Sequence, residues 1–202
     1  MIIEEIERLK KNKNKVILDN GTCLYLYTSE IKKLDLALES ELDEDKINKI
    51  NEEYIFPRAK KKALAILERS MNSTKQLRTK LKRADYSDEI IDRVVSFLEE
   101  YRFLDDFAYA KMYIQSNSKR KSKLELKLEL SNKGISSDYI NSIFEELSED
   151  TELEAIKRYI KKYQDSEGNI EETKKKKAMA ALYRKGFSSE LIRKVFGTYE
   201  EL

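Results

Sequence analysis

Leu77-Arg78-Thr79-Lys80-Leu81-Lys82-Arg83-Ala84-Asp85-Tyr86-Ser87 decides the architecture, because its pattern returns twice along the chain. Forty-nine residues on stands Leu126 to Leu130 followed by Ser131-Asn132-Lys133-Gly134-Ile135-Ser136. Fifty-two further stands Ala178 to Leu182 followed by Tyr183-Arg184-Lys185-Gly186-Phe187-Ser188. Each frame continues in register. Ile91, Val94, Val95 and Leu98 correspond to Ile140, Ile143, Phe144 and Leu147, and to Ile192, Val195, Phe196 and Tyr199. Spacings of i, i+3, i+4 and i+7 place such residues on one face of a helix, so each frame predicts two helices joined by a tight turn. Gly134 and Gly186 suit the left-handed residue that ends a helix, Asp85 replaces glycine at some steric cost, and Ser136 and Ser188 are candidate N-caps.

A pattern repeated near fifty residues is the signature of small units stacked in a row, and three units of ~20 Å predict an elongated body. Each unit takes a third helix from the preceding segment. The predicted spans are about 59–70, 73–84 and 87–101; 106–118, 121–132 and 136–149; and 151–163, 171–185 and 188–200. Ser73 with Gln76 forms a capping box at the head of the second span. Gln164 to Asn169 reads as the clearest loop.

The first 56 residues differ. Val16-Ile17-Leu18 and Cys23 to Tyr27 flank Asp19-Asn20-Gly21-Thr22, and Asn-Gly between β-favouring runs signals a hairpin. Ile2 to Leu9 is a candidate third strand. Ser29 to Leu38 and Asp43 to Tyr54 read as helices, with Phe56-Pro57 expected to break the pattern. The expected fold class is therefore mainly α: three tandem three-helix repeats in an elongated stack, preceded by a small N-terminal β-hairpin and helical region. The expected divisions are 1–56, 57–104, 105–149 and 150–202.

Net charge is only +2, so the distribution of charge carries more than its sum. From Pro57 to Arg83 there are ten basic residues and one acidic, whereas from Ala84 to Asp106 eight are acidic and two basic. Lys119, Arg120, Lys121 and Lys123 precede the acidic Glu145, Glu146, Glu149 and Asp150, and Lys174 to Lys177 form a third basic run. Charges sorted by helix predict basic strips beside acidic ones; solvated helix faces are the plainer account of any single cluster.

Reaction chemistry finds little support. Histidine is absent, which removes the commonest general base, and the five glycines are too scattered for a phosphate loop. Asp105-Asp106 stands where a helix begins, the end of the dipole that carboxylates favour. Neither an enzyme nor a cofactor or metal is expected. The single cysteine, Cys23, cannot form an intramolecular disulfide, and the charged N-terminus and lack of a long apolar run predict a soluble, cytoplasmic protein.

Ser73 to Leu81 (Ser-x-x-Gln-Leu-Arg-x-Lys-Leu), Phe103-Leu104-Asp105-Asp106 with Tyr109-Ala110, Lys133-Gly134-Ile135 and Arg184 to Ser188, taken in order over residues 59–200, resemble the RecX regulatory proteins. Asp85, where glycine is usual, and Ser118 to Ser122, which lacks the glycine often found there, depart from the pattern. The resemblance implies three tandem three-helix repeats that bind the RecA recombinase, mainly as its filament on single-stranded DNA, and inhibit its ATP turnover and strand exchange. A monomer is expected, with single- or double-stranded DNA as a further partner.

The residues themselves leave two other readings open. In non-specific DNA binding without a recombinase partner, Arg78, Lys82, Arg83, Lys123, Lys127, Lys174 and Lys177 would meet phosphates, with Lys119, Arg120 and Lys121 as further candidates for the docking surface. Base reading by the last helix of each repeat is disfavoured, since those helices open with Asp88-Glu89, Ser137-Asp138 and Ser189-Glu190. A plain helical scaffold is the third reading. It fits the expectation that Tyr86, Tyr101, Phe103, Phe107, Tyr139, Phe144, Phe187 and Phe196 pack rather than stack on bases.

Overall fold

The computed structural model describes residues 1–9, 12–146 and 148–197, and the chain divides into two compact units, from Met1 to Asp105 and from Asp106 onward. The expected register positions Leu147 and Tyr199, and the helix expected beyond residue 197, lie outside the described residues. Among the described residues no helix is long and apolar enough to cross a membrane.

The first unit begins with an antiparallel sheet of β1 (Ile3–Arg8), β2 (Lys13–Leu18) and β3 (Cys23–Tyr27), in that spatial order. The hairpin expected at Asn-Gly is present. Leu18 N–H donates to the Thr22 carbonyl at 2.9 Å and Gly21 N–H to the Leu18 carbonyl at 2.8 Å, with Gly21 at φ +82°. This is a three-residue loop closed by a left-handed glycine. Alternation sends Val16, Leu18, Leu24 and Leu26 to the buried face.

Helix α1 (Thr28–Lys33) stops earlier than Leu38. Asp35 turns to φ +49° and Leu36 N–H reaches back to the Ile31 carbonyl at 3.0 Å, so Leu36 folds into the core instead of continuing along the helix axis. The expected break at Phe56-Pro57 is also absent. Helix α2 (Glu44–Ile50) runs through a π-helical turn, Asn51–Ile55, into α3 (Phe56–Arg69). In a regular α-helix the Pro57 ring would strike the carbonyl one turn back; the wider turn, with Phe56 N–H bonded to the Asn51 carbonyl, removes that obstacle. Helices α4 (Thr74–Lys82) and α5 (Asp88–Glu100) complete the unit. A single core joins sheet and helices, from Leu18 and Leu26 through Ile50 and Ala59 to Leu77, Leu81, Ile91 and Leu98.

The second unit holds α6 (Asp106–Asn117), α7 (Lys123–Asn132) and α8 (Ser137–Glu145), then α9 (Glu149–Ile160) with a 3-10 turn at Lys161–Tyr163, α10 (Glu172–Arg184) and α11 (Ser189–Phe196). Two cores fill it. One contains Ile114, Leu126, Leu130, Ile140, Ile143 and Phe144, the other Ile156, Leu182, Phe187, Leu191 and Ile192. The repeated turns take the expected left-handed backbone, with φ of +65° at Asp85, +87° at Gly134 and +76° at Gly186. Ser87 and Ser136 cap their helices, accepting from Ile90 N–H and Tyr139 N–H. Ser188 occupies the cap position, but its hydroxyl accepts no capping bond.

Candidate functional site

The middle helix of each repeat carries most of the candidate cations, and its burial decides how they are held. In α4, Leu77 and Leu81 point into the core, which leaves Arg78 and Lys82 on the flank toward α5. The Arg78 guanidinium pairs with Asp92, and Lys82 Nζ donates to both Asp88 oxygens at 3.0 and 2.9 Å. Such solvent-exposed pairs contribute roughly 0–1 kcal/mol each. The Lys82 pair also neutralises part of the acidic first turn of α5, Asp88 and Glu89. Arg83, at the C-terminal end of α4, is exposed and has no carboxylate partner among the described residues.

The second repeat keeps only the cation of the first pair, since Ser131 and Ser137 stand at the registers of Lys82 and Asp88. Lys127 stands at the register of Arg78, and Asn141 at that of Asp92; Lys127 Nζ donates to Asn141 Oδ1 at 3.3 Å and lies 5.3 Å from the Phe144 ring centre. A neutral amide therefore replaces the carboxylate, and the lysine charge is not cancelled there. Lys119 and Arg120, in the turn before α7, are exposed and likewise unpaired with any described carboxylate.

Lys121 behaves differently. Its ammonium lies 2.5 and 2.6 Å from the two Glu129 oxygens, while Tyr113 Oη donates to Glu129 Oε2 at 2.7 Å. Burial opposes the charge on both Lys121 and Glu129, yet the hydrogen bonds among the three outweigh it, raising the lysine above its usual pKa and lowering the carboxyl below its own. Burial, followed by the bond to Glu129, raises the Tyr113 phenol. The Lys121 charge is thus satisfied inside its own repeat. Lys123 is half-buried, and its backbone N–H approaches the buried Glu152 at 3.4 Å.

On α10, Lys174 approaches Glu171 at 3.8 Å, and Lys177 is exposed without a described carboxylate partner. The junction between the second and third repeats lies at the other end of this helix. Ser122 caps α7 by accepting from Glu125 N–H at 3.0 Å and donates its hydroxyl to the Lys185 carbonyl at 2.6 Å. Leu124 covers the next residue so closely that a Cβ on Gly186 would stand 2.7 Å from Leu124 Cδ2. Eleven residues of helix, ~16 Å, separate Lys174 from Lys185, so the lysine run does not crowd this junction.

Several surface residues escaped the sequence reading. Tyr101, Phe103 and Tyr139 are 59, 56 and 45% exposed, although packing was expected for all three; Tyr101 leans on Phe97 at 4.6 Å and Tyr139 meets Phe107 edge-on at 5.5 Å. Phe144 and Phe187 are buried as expected, and Tyr86, Phe107 and Phe196 are partly buried. In Lys123-Leu124-Glu125-Leu126-Lys127-Leu128-Glu129-Leu130, leucine at every second position cannot share one helical face. Leu126 and Leu130 are buried, whereas Leu124 and Leu128 are each 62% exposed. That alternation was the available signal.

Family models described as RecX first, second and third three-helix domains match residues 59–98, 105–142 and 150–196. The chain is 31% identical over 198 residues to the regulatory protein RecX of Clostridium tetani, covering 96% of this chain and 92% of that one. It is 29% identical over 201 residues to the regulatory protein RecX of Clostridium acetobutylicum, covering 95 and 94%. The crystal structure of a regulatory protein RecX superposes with a TM-score of 0.65 at 24% identity, covering 97% of this chain and 98% of the other, a likeness of fold. The crystal structure of RecX from Lactobacillus salivarius gives 0.57 at 20% identity over 70% of this chain and 94% of that one.

Proposed function

Because the chain belongs to the RecX family of regulatory proteins, we propose that it binds the RecA recombinase and its filament on single-stranded DNA. It restrains ATP turnover and strand exchange there, acting in the cytoplasm as a monomer and without chemistry of its own. The carrying observation is the set of exposed cations without a described carboxylate partner, Arg83, Lys119, Arg120 and Lys177, which spans all three repeats. A nucleoprotein filament offers phosphate and mixed protein charge along one track, and contacts that are weak singly add strongly when linked in one chain. Occupation of that track keeps duplex DNA out and slows the exchange of recombinase subunits. Arg78, Lys82, Lys123, Lys127 and Lys174 contribute from the same helices; Lys121 holds its own repeat together.

The test is recombinase ATP turnover on single-stranded DNA with this protein titrated in. Inhibition at or below stoichiometric amounts is expected, weakened when the four unpaired cations are replaced by alanine. Undiminished turnover would reject the reading. The same cations also favour a second reading, non-specific DNA binding without a recombinase. That reading requires affinity for bare DNA equal to affinity for the filament, with the same salt dependence. Base reading by α5, α8 or α11 fits poorly, because Asp88, Asp138 and Glu190 stand in their first turns.

A further inference from the structure

The first unit contains a groove of about 720 Å³ bounded by β3, by α2 with its π-helical continuation, and by the α4–α5 turn. One wall is Cys23, Leu24 and Tyr25 of β3, the edge strand of the sheet. The hydrogen-bond ladder fixes which backbone groups of that strand are used. Leu18 N–H bonds to the Thr22 carbonyl and Thr28 N–H to the Asn12 carbonyl, so Val16–Leu24 and Asn14–Leu26 are the bonded pairs between them. Cys23, Tyr25 and Tyr27 consequently turn their backbone groups outward.

The far half of this edge is closed. Arg58 donates to the Tyr25 carbonyl at 2.5 Å, and the Tyr27 N–H donates to Glu30 Oε2 at 2.7 Å, with Arg58 and Glu30 paired to each other at 2.8 Å. The near half is open: Cys23 N–H and C=O and Tyr25 N–H find no partner among the described residues. An uncovered strand edge is a template for another strand, and proteins normally blunt it, as Arg58 and Glu30 do here.

Two further observations specify the occupant. Asn51, on the groove wall, is only 8% exposed, yet its side chain makes no hydrogen bond within the described structure. Glu125 Oε2, and no atom of Asn51, is the fully buried side-chain polar atom left without a partner among the described residues, so the Asn51 amide keeps solvent contact on the groove wall and can exchange water for an occupant's backbone. The rim is acidic on balance: Glu44, Asp85, Asp88 and Glu89 line the groove against Lys82 and Met1, whose N-terminal ammonium donates to the Leu42 carbonyl at 2.9 Å. Asp85 and Asp88 are paired with Lys13 and Lys82, which leaves Glu44 and Glu89 without a cation.

We propose that this groove receives an extended segment of a protein partner bearing lysine or arginine, which adds as a fourth strand to the open edge of β3 while Asn51 bonds its backbone and Glu44 and Glu89 meet its cations. Main-chain pairing supplies affinity in this mode and the alternate side chains supply selectivity. The proposal stands apart from the recombinase reading, since its test contains neither recombinase nor DNA.

The probe is the blocked hexapeptide acetyl-Lys-Val-Lys-Val-Arg-Val-amide, titrated to about 1 mM into the ¹⁵N-labelled full chain. Saturable shifts are expected at the amides of Cys23 and Tyr25 and at the side-chain amide of Asn51. Replacing Glu44 and Glu89 by lysine weakens binding about tenfold, and Asn51→Ala about fivefold. N-methylation of one alternating set of peptide amides abolishes binding and of the other set leaves it. No shifts at these sites, equal binding of both methylated peptides, or equal binding of the Glu-Val-Glu-Val-Glu-Val counterpart would overturn the proposal. The charge reversals lie on the surface, so they report even if a change at Asn51 disturbs the fold.

Discussion

Ser122 donates its hydroxyl hydrogen to the Lys185 carbonyl across 2.6 Å, tying the N-cap of one repeat's middle helix to the C-cap of the next repeat's. The same oxygen accepts the Glu125 N–H, so a buried hydroxyl caps α7 and supplies a donor to α10 at once.

Ser122→Ala is therefore expected to lower unfolding stability by about 2 kcal/mol, roughly half from the lost cap and half from the carbonyl left without its donor. Ser188→Ala, at a cap position whose hydroxyl makes no capping bond, should change stability by less than about 0.5 kcal/mol. Urea melts of the two variants check this pair, and similar losses in both would contradict the structure.

Gly186 combines φ +76° with close contact to Leu124. Gly186→Ala should cost about 2–3 kcal/mol, from the left-handed backbone and the encroached side chain together. Leu124→Ala in the same chain should restore part of that loss. The double-mutant cycle separates the two causes, because only the contact couples the sites.

The Lys121–Glu129 pair predicts a defined pH window. Glu129 is depressed in the folded chain, so its contribution is complete above the ordinary carboxyl pKa of about 4.3 and is lost as pH falls through the lowered folded value. Lys121 is raised, so its contribution is complete below about 10.4 and is lost as pH rises through the raised folded value. A Lys121→Met, Glu129→Gln cycle should show coupling of about 1 kcal/mol at neutral pH. That coupling should fade below pH ~4 and survive past pH ~10. A flat coupling across the acid range would contradict the assignment.

Alanine at Arg83, Lys119, Arg120 and Lys177 together should leave stability within about 0.5 kcal/mol, since none holds a described carboxylate. Affinity for the recombinase filament should fall nonetheless. On single-stranded DNA alone, the slope of log affinity against log salt should become shallower by up to about 3 if all four meet phosphates. Unchanged filament affinity would remove these residues from the docking surface.

Much of this molecule is written in short stretches. The helices of the repeats, the left-handed Asp85, the Ser73–Gln76 capping box and the Asn-Gly hairpin each depend on fewer than about twenty consecutive residues, and local rules read them correctly. Pro57 shows where such rules fail. Its ring forbids an ordinary helix, but the core on either side, Ile50 and Ile55 before it and Ala59 and Ala63 after it, holds the chain helical, and one widened turn absorbs the conflict. Leu36 ends α1 for a similar reason, since burial outweighs local propensity.

The repeat, its period and the residue types of each turn followed from order along the chain, because backbone geometry and helical periodicity act between near neighbours. The pairing of each cation, the exposure of Phe103 and Leu128, and the groove that brings Gly21 of the hairpin and Glu89 of α5 onto its walls did not. These depend on which distant segments meet, and burial, charge pairing and an open strand edge are properties of that meeting rather than of any one segment.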